Sequence, residues 1–183
     1  MSLDPRAVAN RILDIRCGFG KETTNLELQK LLYFSHAKHL FLLDAPLVKG
    51  VFEAWRNGPV NPSVYRAFKD SGKNAIKKRA KRRDYRTRAY VDFDVQFPQA
   101  TDQLIQDTVK KLSSFTAWEL VELSHAPNGP WDYVVSKATD GVVAGMRISD
   151  AITVDRFKYL KRSVGVDHAR SSDNVPLTPF EKR

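Results

Sequence analysis

Few side chains in this sequence have the types and spacing that catalysis or metal binding requires. His36 and His39 are three residues apart in a helical pattern, so both imidazoles could point to one side. A zinc site needs three or four protein ligands, and the other candidates, His125, His168 and scattered carboxylates, have no motif spacing. Ser35 and His39 have the spacing of a nucleophile and its base, but both fall in an apolar stripe. We therefore expect packing here, with no metal, no cofactor and no catalytic residues.

The usual enzyme motifs are also missing from the sequence. It contains no phosphate-binding glycine loop with lysine, no dinucleotide fingerprint, no Gly-x-Ser-x-Gly and no His-Glu-x-x-His. Cys17, the single cysteine, falls at the predicted end of a helix, where a thiolate is not stabilised. The sequence therefore predicts a binding protein rather than an enzyme.

One charged segment stands out as a candidate binding surface. The chain has 30 Lys and Arg against 21 Asp and Glu, a net charge of +9, and most of this excess falls in residues 73–88. Nine cations lie there with Asp84 as the only carboxylate. Such a cluster binds nucleic acid by counterion release, but it is also typical of a solvated loop or of a contact to an acidic protein. We take as this basic patch Lys77, Lys78, Arg82 and Arg83.

The elements that must position these residues are predicted to be mainly helices. Asp4 and Pro5 begin a helix that ends near Cys17, and the capping box that starts at Thr24 begins a second one that ends near Asp44. Asn61 caps a third helix. Further helical patterns begin at 102, at a second capping box at 116, and at 150, where the pattern continues to 162.

Two segments are predicted as strands of a small sheet. Residues 51–56 form a short strand that ends in turn chemistry at Asn57-Gly58-Pro59. Residues 91–97 alternate apolar with polar, which is typical of a half-buried strand. The predicted fold is mainly α with a small β-sheet (α+β), as one domain over residues 1–162 with a polar tail over 163–183. With one cysteine, no signal-peptide pattern and no apolar run long enough for a membrane span, we expect a cytoplasmic protein.

Three groups of aromatic and turn residues lie in a characteristic order along the chain. The first is Leu28-Gln29-Lys30-Leu31-Leu32-Tyr33-Phe34, the second runs from Glu53 through Trp55, Gly58 and Pro59 to Tyr65, and the third combines Leu120, Leu123, His125, Pro130 and Trp131. This order resembles the Panacea domain, a family also described as SocA-like or phage-associated GepA-like proteins. The middle group is the most specific of the three.

The resemblance implies a compact, mostly helical antitoxin that binds and neutralises a cognate toxin protein. In the SocA-like branch it further implies a proteolytic adaptor that delivers the toxin to the ClpXP protease. A nucleic-acid-binding regulator that uses the basic segment is the alternative. Polar tips on motif residues have little reason to be core, so we expect partner contacts from Arg56, Asn57, Tyr65 and His125. We expect a structural role for Leu31, Leu32, Trp55, Gly58, Pro59 and Trp131.

Overall fold

A computed structural model of the chain describes residues 2–138 and 145–164, with side chains as far as Leu160. Helix α1 covers Pro5–Gly18 and starts behind Asp4, whose carboxylate accepts a hydrogen bond from the Arg6 backbone N–H at 2.9 Å. Helix α2 covers Asn25–Leu43 and begins at Thr24 with both hydrogen bonds of the predicted capping box. The two capping signals therefore place the helix starts correctly.

Helix α2 lies at the centre of the molecule. It contacts α1 and four later helices, α3 (Pro62–Phe68), α4 (Gln99–Leu112), α5 (Ala117–Ser124) and α7 (Asp150–Val164). Leu28, Leu31, Leu32 and Phe34 are all fully buried, although they lie on different sides of the helix. The prediction that this helix is apolar on two faces because it is central is confirmed.

The remaining elements form a small sheet, a hairpin and two short helices. Strand β1 (Phe52–Trp55) pairs antiparallel with both β2 (Gly58–Val60) and β5 (Arg147–Ile148). Helix α3 (Pro62–Phe68) is followed by a 3-10 turn over Lys69–Ser71, and α6 covers Pro130–Ser136. Strands β3 (Arg82–Arg83) and β4 (Tyr90–Val91) form a separate antiparallel hairpin. The fold is mainly helical with a small sheet, as predicted.

The predicted strand over residues 91–97 is wrong beyond Val91. The alternation itself is present, because the four apolar residues Val91, Phe93, Val95 and Phe97 are partly buried while the polar residues between them are exposed. The backbone of residues 92–98, however, forms no ladder with any described strand. Alternating burial requires only a surface to pack on, whereas a strand also requires a neighbour for its N–H and C=O groups.

The last helix extends two residues further than predicted, to Val164. The predicted tail beyond that point lies outside the described residues. Within the described part of the chain, no helix combines the length and the apolar character needed to cross a membrane.

Candidate partner-binding groove

The first two strands form a tight hairpin whose turn consists of Arg56 and Asn57. Trp55 pairs with Gly58 across this turn, and Gly58 has a φ of +95°. A Cβ atom at Gly58 would lie 2.4 Å from Ser124 Oγ and 2.9 Å from Lys30 Nζ. Glycine is therefore required both by the backbone conformation and by the close approach of two side chains. The turn itself stays exposed, with Arg56 and Asn57 in solvent.

A groove of about 570 Å³ lies beside this hairpin. Its wall is aromatic, because the rings of Trp55 and Tyr65 meet edge to face with centroids 4.7 Å apart. Trp55 is only partly buried, and Tyr65 remains 38% exposed. The residues that line the groove are Thr24, Asn25, Leu26, Gln29, Trp55, Arg56, Asn57, Val60, Tyr65, Lys69, Gly72, Lys73 and Ala117. Three of the predicted contact residues thus meet at one site.

The charges of the groove all have one sign. Arg56, Lys69 and Lys73 are exposed at its edge, and none of the lining residues is acidic. Glu53 is the acidic residue of β1, and its Oε2 atom accepts a hydrogen bond from Trp55 Nε1 at 2.8 Å. An apolar wall with a cationic edge suits a partner that offers an apolar side chain next to a carboxylate.

A buried amide network holds α3, and with it Tyr65, against α2. The Asn61 backbone N–H donates to Gln29 Oε1 at 2.9 Å, and Gln29 Nε2 donates to Asn25 Oδ1 at 3.2 Å. Asn61 Oδ1 accepts from the N–H groups of Ser63 and Val64 and so caps α3. The cap at Asn61 was predicted from the sequence, whereas Gln29 and Asn25 were not, although Gln29 is part of the first motif.

Behind the hairpin lies a lysine that the sequence analysis also missed. Lys30 is fully buried, and its ammonium group donates to the Pro59 carbonyl at 2.9 Å. Burial lowers the pKa of Lys30 to about 7. The sequence does contain a sign of this buried charge, because Lys30 lies in the otherwise largely apolar stretch from Leu28 to Phe34.

His125 does not line the groove. Its ring stacks on Trp131 with centroids 3.7 Å apart, and Trp131 Nε1 donates to the Trp55 carbonyl at 2.8 Å. Desolvation first, and then the nearby Lys30 charge, lower the pKa of His125 to about 4. The buried Nε2 atom has no hydrogen-bond partner among the described residues. The third motif therefore packs against β1 behind the groove. The neutral His125 imidazole contributes to this packing through its stack on Trp131.

The basic patch lies outside the groove, and only some of the cations in this segment form ion pairs. Lys77 pairs with Glu22, and Arg79 pairs with Asp14, whereas Lys78, Arg82 and Arg83 point into solvent. The segment is also fixed to the core, because the side chain of Asn10 exchanges two hydrogen bonds with the backbone of Ala80, both 2.9 Å long. It is therefore not a uniformly solvated loop.

The pairs considered for catalysis and metal binding lie in the interior. His39 Nδ1 lies 2.6 Å from the Ala45 carbonyl and Nε2 lies 3.2 Å from Thr101 Oγ1, while Ser35 is fully buried. His36 Nε2 lies 3.1 Å from an Asp150 oxygen. Among the described residues, no three His, Cys, Asp or Glu side chains are grouped as metal ligands would be.

Residues 28–132, which include β1, β2 and α3, match the family described as "Antitoxin SocA-like, Panacea domain". The chain is also similar to Antitoxin SocA of Caulobacter vibrioides (strain NA1000 / CB15N). The two are 39% identical over 165 residues, which cover 90% of this chain and 88% of that relative. No solved structure matches the chain.

Proposed function

Since the chain belongs to the family "Antitoxin SocA-like, Panacea domain", we propose that it binds a cognate toxin protein in the groove beside Trp55 and Tyr65 and thereby neutralises it. The observation that carries this proposal is the exposed aromatic wall, because partly exposed Trp and Tyr side chains in a concave site are typical centres of protein interfaces. Arg56 and Asn57 extend the contact at the tip of the hairpin. His125 stabilises the contact surface from behind.

The toxin segment that fits this groove presents an apolar side chain beside an acidic one. The apolar side chain packs between Trp55 and Tyr65, and the carboxylate faces Arg56, Lys69 and Lys73. Apolar burial supplies most of the affinity, while the three cations orient the segment and accelerate its association.

Tyr65→Ala tests the aromatic wall. We expect the affinity for the toxin to fall by about 2 kcal/mol or more, the loss typical of a central aromatic contact. Tyr65 is exposed, so the melting temperature should change little. Tyr85→Ala is the matched control, because Tyr85 is 95% exposed and lies outside the groove. Equal toxin affinities of the two variants would contradict the proposed site.

The charged edge is tested separately by replacing Arg56, Lys69 and Lys73 with Gln. We expect slower association with the toxin and a weaker dependence of that rate on salt. The control replaces Lys21, Lys110 and Lys111, three exposed cations elsewhere, and has the same net charge. If both variants slow association equally, overall charge rather than the groove is responsible.

We further propose that neutralisation proceeds by delivery of the toxin to a ClpXP-type protease. An adaptor needs one contact to the toxin and a second to the protease, and its gain is the raised effective concentration of the toxin at the protease. The groove supplies the first contact. Two candidates for the second contact are residues 77–88 of the basic segment, which do not line the groove, and the chain after residue 163.

The experiment mixes purified toxin, a ClpXP-type protease, ATP and sub-stoichiometric amounts of this protein, and follows the toxin on a gel. An adaptor turns over, so we expect toxin to disappear in molar excess over the protein added. Truncation after Val164, and separately the neutralisation of residues 77–88, which keeps Lys73 of the groove, will show which segment reaches the protease. If toxin stays intact yet is inactive at one-to-one mixing, the protein is a sequestering antitoxin instead.

A further inference from the structure

The hairpin formed by β3 and β4 is an ordered structure built almost entirely from exposed residues. Arg82 pairs with Val91, and Arg83 pairs with Tyr90. Asp84 organises the loop between the strands, because its Oδ1 atom accepts hydrogen bonds from the N–H groups of Arg86 at 2.8 Å and Thr87 at 2.9 Å. The Asn10–Ala80 hydrogen bonds fix the chain just before the first strand. The hairpin is therefore a defined ribbon held at its base.

The arginines of this ribbon form no ion pairs with the described residues, and Asp84 is the one carboxylate of the ribbon itself. Lys77, Arg79 and Lys81 have Glu22, Asp14 and Asp92 as ion-pair partners. No ion pair forms at the four exposed arginines of the hairpin within the part of the chain that the structure describes, and these are Arg82, Arg83, Arg86 and Arg88. Like charges at this density repel one another, so a folded ribbon that keeps four arginines out of ion pairs favours a polyanionic partner.

The composition of the ribbon distinguishes between an acidic protein and a nucleic acid as the polyanionic partner. A protein interface has an apolar, desolvated centre, and the groove beside Trp55 offers one. The hairpin offers none, because its exposed side chains are four arginines, Thr87, Ala89 and two tyrosines, Tyr85 at 95% and Tyr90 at 72% exposure. Interfaces with DNA are more polar and far more positive than those between proteins, and tyrosine hydroxyls are among the groups that donate to phosphate oxygens.

Shape then selects among nucleic acids. The major groove of B-form DNA is wide enough for a two-stranded β-ribbon, whereas the major groove of A-form RNA is too narrow for side chains to read. We propose that the β3–β4 hairpin is a second binding site of this protein, which places its ribbon in the major groove of duplex DNA and neutralises phosphates with Arg82, Arg83, Arg86 and Arg88. This site is independent of the toxin-binding groove, and neither proposal requires the other.

The test measures fluorescence anisotropy of a labelled duplex DNA of about 20 base pairs with the full chain. If the four arginines neutralise about four phosphates, the affinity falls on the order of a hundredfold between about 50 mM and about 200 mM salt. Replacing all four with Gln should remove most of this binding at low salt and nearly all of its salt dependence. The matched control replaces Lys21, Lys110, Lys111 and Arg147, four exposed cations outside the hairpin, and should keep both.

Melting temperatures of the two variants verify that each is folded, since all eight side chains are exposed. The proposal is overturned if the hairpin variant binds duplex DNA as well as the control variant does. It is also overturned if the protein binds single-stranded DNA, duplex RNA or polyglutamate of equal charge as tightly as duplex DNA. Each of those results would assign the ribbon to another kind of polyanion.

Discussion

Lys30 shows how one residue connects the family motifs. Lys30 lies in the first motif, on α2, and its ammonium group donates to the Pro59 carbonyl of the second motif. Its charge also lowers the pKa of His125 in the third motif. A buried charge with a single neutral acceptor costs stability, because desolvation is only partly offset by one hydrogen bond. Loss of its proton relieves that cost, as the lowered pKa indicates.

The stability of the protein should therefore depend on pH through Lys30. The pKa of Lys30 is about 7 in the folded protein and ordinarily 10.5. At pH values between these two, the unfolded chain therefore holds a proton on Lys30 that the folded chain lacks. The free energy of unfolding then rises with pH, by at most about 1.4 kcal/mol per pH unit from this group. Urea unfolding at pH 7, 8 and 9 should show this rise in the wild type and a smaller one in Lys30→Met. Lys110→Met, an exposed control, should match the wild type; parallel curves for all three would refute the assignment.

Gly58 provides a second prediction at this scale. Gly58→Ala places a Cβ atom against Ser124 Oγ and Lys30 Nζ in addition to straining a backbone with positive φ. We expect a loss of about 1 kcal/mol or more from strain and a further 1–3 kcal/mol, roughly, from overpacking. Gly20→Ala is the control, because Gly20 also has positive φ, at +67°, but has open space around its Cα. Chemical denaturation measures both, and equal losses would mean that the close approach relaxes freely.

At the scale of elements, the groove depends on how firmly α3 is attached. This helix has only seven residues and is marginal by itself, so its cap and its contact with α2 determine where Tyr65 lies. Asn61 serves both purposes, because its side chain caps the helix while its backbone N–H binds Gln29.

Asn61→Ala should consequently loosen α3. We expect a loss of about 1–2 kcal/mol from the cap and faster hydrogen exchange at the amides of Ser63 and Val64, measured by mass spectrometry or NMR. Thr116→Ala removes the cap of α5 and should cost a similar amount without affecting exchange in α3. Unchanged exchange in α3 after Asn61→Ala would show that packing and the backbone hydrogen bond to Gln29 hold the helix without the cap.

On the scale of the whole molecule, α2 joins the parts of the chain into one core. The last helix packs on it from the far end of the sequence, where the ring of Phe157 stacks on Phe41 with centroids 4.3 Å apart. Phe157 is fully buried. The N-terminal and C-terminal helices therefore share one hydrophobic core.

Removing this ring should destabilise the entire domain. For Phe157→Ala we expect a loss of about 3–5 kcal/mol in a single transition, with far-UV and near-UV circular dichroism changing together. Val154→Ala on the same helix is the control, and because Val154 is 43% exposed its effect should stay within about 0.5 kcal/mol. Two separated transitions would show that α7 unfolds independently.

Local chemistry explains what the sequence could predict. A cap, a Pro at the first helical position and a turn glycine act within four residues of themselves, so Asp4, Thr24, Asn61 and Thr116 predicted where helices begin. The three motifs indicated the family, and their polar tips predicted partner contacts from Arg56, Asn57, Tyr65 and His125, of which the first three line one groove. These conclusions required no knowledge of distant contacts.

The tertiary structure decided whatever depends on partners far along the chain. Residues 92–97 alternate like a strand but form no ladder with any described strand, whereas the cationic residues 82–91 do form a hairpin. The burial of Lys30, the position of His125 behind the groove and the convergence of Trp55 with Tyr65 each follow from elements separated in sequence. Backbone pairing and burial each depend on two segments in contact, whereas the sequence of one segment specifies only the surface of that segment.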